Sequence, residues 1–152
     1  MNRFKTFVLM TVMTLIVMFL VNFVCEACGI TGHGGLGLGL IIAVGMNLIT
    51  YYNCDKMVLA MYKTRPVPEN DGLITPIVRR LTGQAGLPMP RLYYVEESSP
   101  NAFATGRDPN HAVVCVTTGI LQLLSPDELE GVLAHELSHV KNRDILISTI
   151  AA

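Results

Sequence analysis

The 152-residue chain has no tryptophan, little charge and no excess of either sign. Without Trp, and with aromatic residues at 7%, it has no evident stacking platform for bases or sugars. The 11 Lys and Arg stand against 12 Asp and Glu, which argues against nucleic-acid binding through phosphate contacts. Four cysteines in a chain of this size do not make a disulfide framework. Charged residues are 15%, where soluble domains carry about 25%. Hydrophobic residues are 51%, which points away from disorder and towards a membrane. The length suits one domain of modest size.

What is present begins with a run of 20 uncharged residues, Thr6 to Cys25, mostly Val, Leu, Met, Ile and Phe. A helix needs about 20 apolar residues to cross about 30 Å of hydrocarbon. Arg3 and Lys5 would also suit a signal peptide, but the run exceeds the usual core and no clean cleavage site follows. A second uncharged stretch, Gly34 to Tyr52, ends in the tyrosine pair Tyr51 and Tyr52 at a plausible interface. Gly35 and Gly39 have the spacing that lets membrane helices approach closely, and fitting against the first span is their expected role. Gly32, Gly34 and Gly37 match a dinucleotide fingerprint in spacing, but no strand precedes them and the match is set aside.

No Lys or Arg lies between these spans, whereas Arg3, Lys5, Lys56, Lys63 and Arg65 flank them. The positive-inside rule then expects the amino terminus and everything after residue 55 to be cytoplasmic. Cys25 and Cys28 would face an oxidising side, but lack the strand that a redox C-x-x-C motif follows. The expected organisation is a transmembrane hairpin over 1–54 and a cytoplasmic domain over 55–152.

In that second segment Pro66, Pro68 and Glu69 to Gly72 mark a linker and turn. Leu73, Ile74, Ile77, Val78, Leu81 and Ala85 repeat at helical spacing up to Gly86, with Pro76 in the first turn and a start near Thr75. Strands are expected at Arg91–Glu97 and His111–Thr117, with a further short one around Asn101–Ala104. A second helix has a written start, since Ser125, Pro126 and Glu128 form a capping box with proline at its first position. Its apolar residues continue beyond Asp144 to the last residue, and Ala152 reads as a truncation point.

That helix carries His135-Glu136-Leu137-Ser138-His139, an H-E-x-x-H motif. At about 100° per residue the two histidines lie about 40° apart, one turn above the other, so both imidazoles can reach one ion. Glu136 is placed as a base beside the metal rather than as a ligand. A zinc-bound water has its pKa lowered towards about 7, and a neighbouring carboxylate can take its proton. The chemistry indicated is peptide-bond hydrolysis, with Glu136 as general base and later proton donor. The alternative is two packed or surface histidines that merely flank a Glu. His111 and His33 do not join the pair. Asp144 falls about 140° from His139 and about 180° from His135 on a continuing helix, the wrong face for a ligand, and a salt-bridge or helix-packing role is expected of it. A catalytic zinc needs three protein ligands, and two are in hand.

The stretches Ser99–Arg107, Val116-Thr117-Thr118-Gly119, Asp127–Val140 and Asn142–Leu146 together resemble the HtpX-type membrane zinc metallopeptidases of bacteria. The likeness extends to the two amino-terminal spans and to Gly86–Pro90. It implies an α+β zincin-like metallopeptidase domain, incomplete at its C-terminal end, behind two transmembrane helices. It also implies one Zn2+ per chain, with His135 and His139 as ligands and Glu136 as the catalytic carboxylate. The third ligand would be a Glu on a later helix beyond Ala152. The implied activity is degradation of misfolded or damaged membrane proteins at the bacterial inner membrane, facing the cytoplasm, as part of stress-response quality control. Expected partners are protein or peptide substrates and the lipid bilayer, with no nucleic acid.

The His111–Thr117 strand is expected to be a sheet edge to which an extended peptide adds, the alternative being a wholly buried inner strand. Asn101, Ala102, Phe103, Val113 and Val114 are then the candidate substrate-binding residues. A competing reading is a non-catalytic membrane module, or an inactive fragment lacking the third ligand. A structural zinc site fits less well, because Cys54 and Cys115 lack zinc-knuckle spacing.

Overall fold

The computed structural model describes residues 2–30 and 34–145. It divides into two compact units, Met1–Asn53 and Cys54–Ala152. The first unit contains helix α1 (Asn2–Ala27) and most of helix α2 (Gly34–Met61). Both contain stretches long and apolar enough to cross a membrane, Phe7–Ala27 and Gly34–Met61. Thr31 to His33 between them lie outside the described residues.

The helix α1 leaves α2 almost no room at two glycines. A Cβ at Gly39 would stand 2.9 Å from the Met18 carbonyl oxygen, and one at Gly35 would stand 3.1 Å from the Cys25 Cβ. The helices therefore touch backbone to backbone at the glycine spacing noted in the sequence. The Asn47 amide joins them, donating to the Thr14 hydroxyl at 2.7 Å and to the Met10 carbonyl at 3.4 Å. In hydrocarbon such a group needs partners, and here it has them. The helix α2 runs nine residues past the uncharged stretch. Its 28 residues rise about 42 Å, more than a bilayer core requires.

The second unit is built on a mixed four-stranded sheet: β1 (Arg65–Pro66), β2 (Arg91–Val95), β3 (Ala102–Thr105) and β4 (Val113–Thr117). The spatial order is β1-β2-β4-β3. The pair β2 and β4 runs parallel, with Leu92 opposite Val114. The pair β3 and β4 runs antiparallel, with Ala104 opposite Val114. Among the described residues three helices accompany the sheet: α3 (Ile74–Ala85), α4 (Thr118–Leu123) and α5 (Pro126–Asn142). Because side chains alternate across a strand, Leu92, Ala102, Ala104, Val114 and Val116 share one face. They pack with Ile74, Val78, Ile120, Leu129, Leu133 and Leu137 from the helices. The opposite face carries Tyr93, Phe103, Val113 and Cys115, and Leu59 from the end of α2 packs on it. Burial there pushes the Cys115 thiol up to about 12.

The helix α3 starts where Asp71 stops the chain, for its carboxylate accepts from the N–H groups of Leu73, Ile74 and Thr75. Asp71 also accepts from the Tyr94 hydroxyl at 2.7 Å, which ties the helix start to β2. The helix ends at Gly86 in the left-handed region, as expected from the sequence. An ion pair between Arg80 and Glu130 joins α3 to α5, and another joins Arg91 to Asp55.

One expectation is overturned. The strand β4 is not a sheet edge; it lies between β2 and β3, and all five of its residues are buried. Its near-continuous apolar run, with no polar residue alternating, is the pattern of a strand covered on both faces. It also begins at Val113 rather than His111, because Pro109–His111 form a 3-10 turn capped by Asp108. The outer position belongs to β3.

Candidate active site

The helix α5 holds the motif because its start is chemically fixed. Ser125 accepts at its hydroxyl from the Glu128 N–H (3.4 Å), and the Glu128 carboxylate accepts from the Ser125 N–H at 2.9 Å. The Ser125 N–H and the Ser125 hydroxyl, which reaches the same oxygen at 2.7 Å, hold the Glu128 carboxyl below its ordinary value. Leu129, Leu133, Leu137 and Val140 are buried along one face of the helix. His135 is therefore left exposed, with Glu136 and His139 at the margin between core and solvent.

The two imidazoles meet as the helical spacing requires. His135 Nε2 and His139 Nε2 are 3.3 Å apart, and the rings are perpendicular with centroids 4.8 Å apart. Zinc–nitrogen bonds of about 2.0–2.1 Å at a tetrahedral angle place two ligand nitrogens about 3.3–3.4 Å apart. The donor pair thus fits two corners of a zinc site. Among the described residues no third His, Cys, Asp or Glu completes a metal-binding group. His111 contacts Asp108 and Arg107 in the β3–β4 connection, and His33 lies outside the described residues.

Glu136 is fixed from the side by the outer strand. The Ala104 N–H donates to its Oε2 at 3.1 Å. This follows from the register of β3. The Thr117 N–H donates to the Asn101 carbonyl, so Asn101, Phe103 and Thr105 direct their backbone groups towards β4. Ala102 and Ala104 direct theirs outward, and Ala104 meets the carboxylate.

Asp144 is placed differently from the helical-wheel expectation. The helix does not continue; it stops at Asn142, and Arg143 takes a left-handed conformation with φ 57°. The chain turns, and Asp144 Oδ1 comes to 3.2 Å from His139 Nδ1. That is the ring nitrogen opposite the one facing His135. The contact joins a carboxylate to the back of a candidate ligand, an arrangement that fixes ring orientation and tautomer. Residues 146–152 lie outside the described residues, so the expected apolar continuation there is not visible.

The candidate substrate residues separate into two groups. Ala102 and Phe103 lie on the outer strand β3, and Asn101 immediately precedes it. Val113 and Val114 are both 0% exposed in the inner strand, so neither can face a substrate. Sequence reasoning missed Ala104, whose contribution is a backbone N–H and leaves no side-chain signal. It expected Asp144 in a salt bridge or in helix packing but missed His139 as its partner, because no glycine announces the end of the helix.

The architecture is an α+β, zincin-like metallopeptidase domain preceded in the chain by two apolar helices. The family model for Peptidase family M48 matches residues 68–152, more than half of the chain, and the chain belongs to that family. It is 51% identical over 154 residues to a Protease HtpX homolog of Pelotomaculum thermopropionicum, covering 100% of this chain and 52% of that protein. A Protease HtpX homolog of Syntrophobacter fumaroxidans is 48% identical over 152 residues, covering 99% and 52%. The corresponding Ralstonia pickettii protein is 51% identical over 152 residues, covering 99% and 51%. The chain thus spans about half the length of the curated relatives it matches. The crystal structure of S. mikatae Ste24p shares the fold, with a TM-score of 0.59 at 17% identity over 99% of this chain and 35% of that one.

Proposed function

We propose that the protein is a membrane-anchored, zinc-dependent endopeptidase that hydrolyses peptide bonds in misfolded or damaged membrane proteins. The observation that carries this reading is the pair of imidazole nitrogens 3.3 Å apart with the Glu136 carboxylate held on the same helix by the outer strand. His135 and His139 would hold the metal through Nε2. The third protein ligand is taken to be a Glu beyond Ala152. Zinc, when bound, supplies Lewis acidity towards a carbonyl oxygen and lowers the pKa of water.

The protein's own residues do the rest. The Ala104 N–H fixes one carboxylate oxygen of Glu136, which leaves Oε1 to take the proton from an attacking water. The same carboxylate then returns that proton to the departing amine nitrogen. An extended peptide can lie along the outer edge of β3, where the outward N–H and C=O of Ala102 are placed to pair with it. Phe103 and Asn101 flank that position. Asp144 keeps the His139 ring turned with Nε2 towards His135.

The distribution of Lys and Arg supports a peptidase unit on the cytoplasmic side, and we take the membrane to be a bacterial inner membrane, in keeping with membrane-protein clients. A second reading, a non-catalytic client-binding module, is favoured by the two-donor set among the described residues. The experiment that separates them uses the intact protein in bilayer vesicles with an unfolded fluorogenic polypeptide. Cleavage that a chelator abolishes and added zinc restores supports the peptidase. Zinc-loaded protein that binds the polypeptide without cleaving it supports the module.

A further inference from the structure

The segment Val116-Thr117-Thr118-Gly119 holds neither metal nor proton, yet its polar groups converge on the residues that lead into β3. Thr117 is 1% exposed. Its hydroxyl accepts from the Asn101 N–H at 2.8 Å and donates to the Ser99 carbonyl at 2.8 Å, with the Asn101 carbonyl at 3.0 Å. It also accepts from the Ile120 N–H at 3.3 Å, capping α4. Its own N–H donates to the Asn101 carbonyl at 3.0 Å. The Thr118 hydroxyl and the Gly119 N–H both donate to the Glu97 carbonyl, each at 2.9 Å. A Cβ at Gly119 would overlap the Ser98 carbonyl oxygen, so only glycine admits the approach. Three consecutive residues thus pin Glu97 to Asn101 from beneath.

The strand that follows is four residues long and, among the described residues, paired on one side only. Such a strand is weakly specified by its own ladder, and a slip of one residue would reverse every outward group. Its register places the Ala104 N–H on Glu136 and turns the Ala102 groups outward.

We propose that Thr117 is a positioning residue for peptide binding, its hydroxyl clamping Asn101 so that β3 presents a fixed edge. This rests on the reading of β3 as the substrate edge and of Glu136 as the base. The clamp lies at the Asn101 end, nearer Ala102 than Ala104, so its loss falls on binding more than on the chemical step.

The test compares Thr117→Val, which keeps the shape and removes the hydroxyl, with Thr117→Ser, which keeps the hydroxyl. Both are made in the intact, zinc-loaded protein. Hydrogen exchange over residues 101–105, followed by mass spectrometry, reads the strand without any need for catalysis. In Thr117→Val exchange there should accelerate about tenfold, and KM for an unfolded polypeptide should rise about tenfold with kcat reduced less than about threefold. Thr117→Ser should restore both. Unchanged exchange and KM in Thr117→Val would overturn the proposal, as would a Thr117→Ser variant equally impaired. Faster exchange with unchanged KM would show that β3 is not the substrate edge. If the wild-type protein cleaves nothing, the peptidase reading fails, and exchange alone decides whether Thr117 holds the strand.

Discussion

Replacing Asp144 by Asn tests the candidate metal centre without touching either imidazole Nε2. Asp144 Oδ1 stands 3.2 Å from His139 Nδ1, close enough for the carboxylate to accept that N–H and fix the tautomer in which Nε2 is free to bind metal. An asparagine of the same shape keeps the bulk but presents a neutral amide, which orients the ring less strongly and makes Nε2 a poorer donor. Loss of an outer carboxylate of this kind typically weakens metal binding about 10–100-fold, or about 1.4–2.7 kcal/mol. Competition for zinc against a chromogenic chelator at fixed pH gives the affinity directly, and circular dichroism confirms that the helix persists. Zinc affinity unchanged within about twofold would refute the argument. It would mean that Asp144 is only the residue at which the chain turns after Arg143.

Four further outcomes follow from the packing and the titratable groups. Leu133 is 0% exposed beneath the motif, so Leu133→Ala should destabilise the second unit by about 2–5 kcal/mol in denaturant unfolding. Arg143 has φ 57°, a conformation that glycine adopts without strain, so Arg143→Gly should leave the unfolding midpoint equal or higher. Burial pulls the Asp71 carboxyl up, but the Tyr94 hydroxyl and three backbone N–H groups outweigh it and hold it below its ordinary value. The stability it contributes is present above the unfolded carboxyl range and lost as pH falls through the folded value, so unfolding midpoints should drop below about pH 4, less so in Asp71→Asn. Burial, with Asp71 beside it, pushes the Tyr94 phenol up to about 12. Its contribution is complete below about pH 10 and lost as pH rises towards 12, and Tyr94→Phe should remove that alkaline loss.

The helix α5 was legible because its signals are local: a capping box, a proline at the first turn and an apolar stripe. The helix α3 was legible for the same reason, down to Gly86. The features that escaped depend on distant partners. The strand β1 is only Arg65–Pro66, and it exists because those residues lie against Tyr94 and Tyr93. The helix α4 has six residues, too few to show a period, and its start is set by the same Thr117 hydroxyl that holds Asn101. The inner position of β4 was written in its unbroken run from Ala112 to Val116, but an edge strand was expected there. Histidine spacing identified the candidate donors. It could not reveal that a backbone N–H from β3 holds the carboxylate between them, since register is a property of the folded sheet.

The central claim is that Glu136 is the proton acceptor beside a metal held by His135 and His139. The most direct measurement is cleavage by Glu136→Gln, with bound zinc determined on the same sample. Glutamine can still accept from the Ala104 N–H but cannot take a proton from water. The account predicts zinc content and affinity equal to wild type, with cleavage reduced by at least about a thousandfold. Cleavage retained within about tenfold of wild type at full zinc occupancy would contradict it.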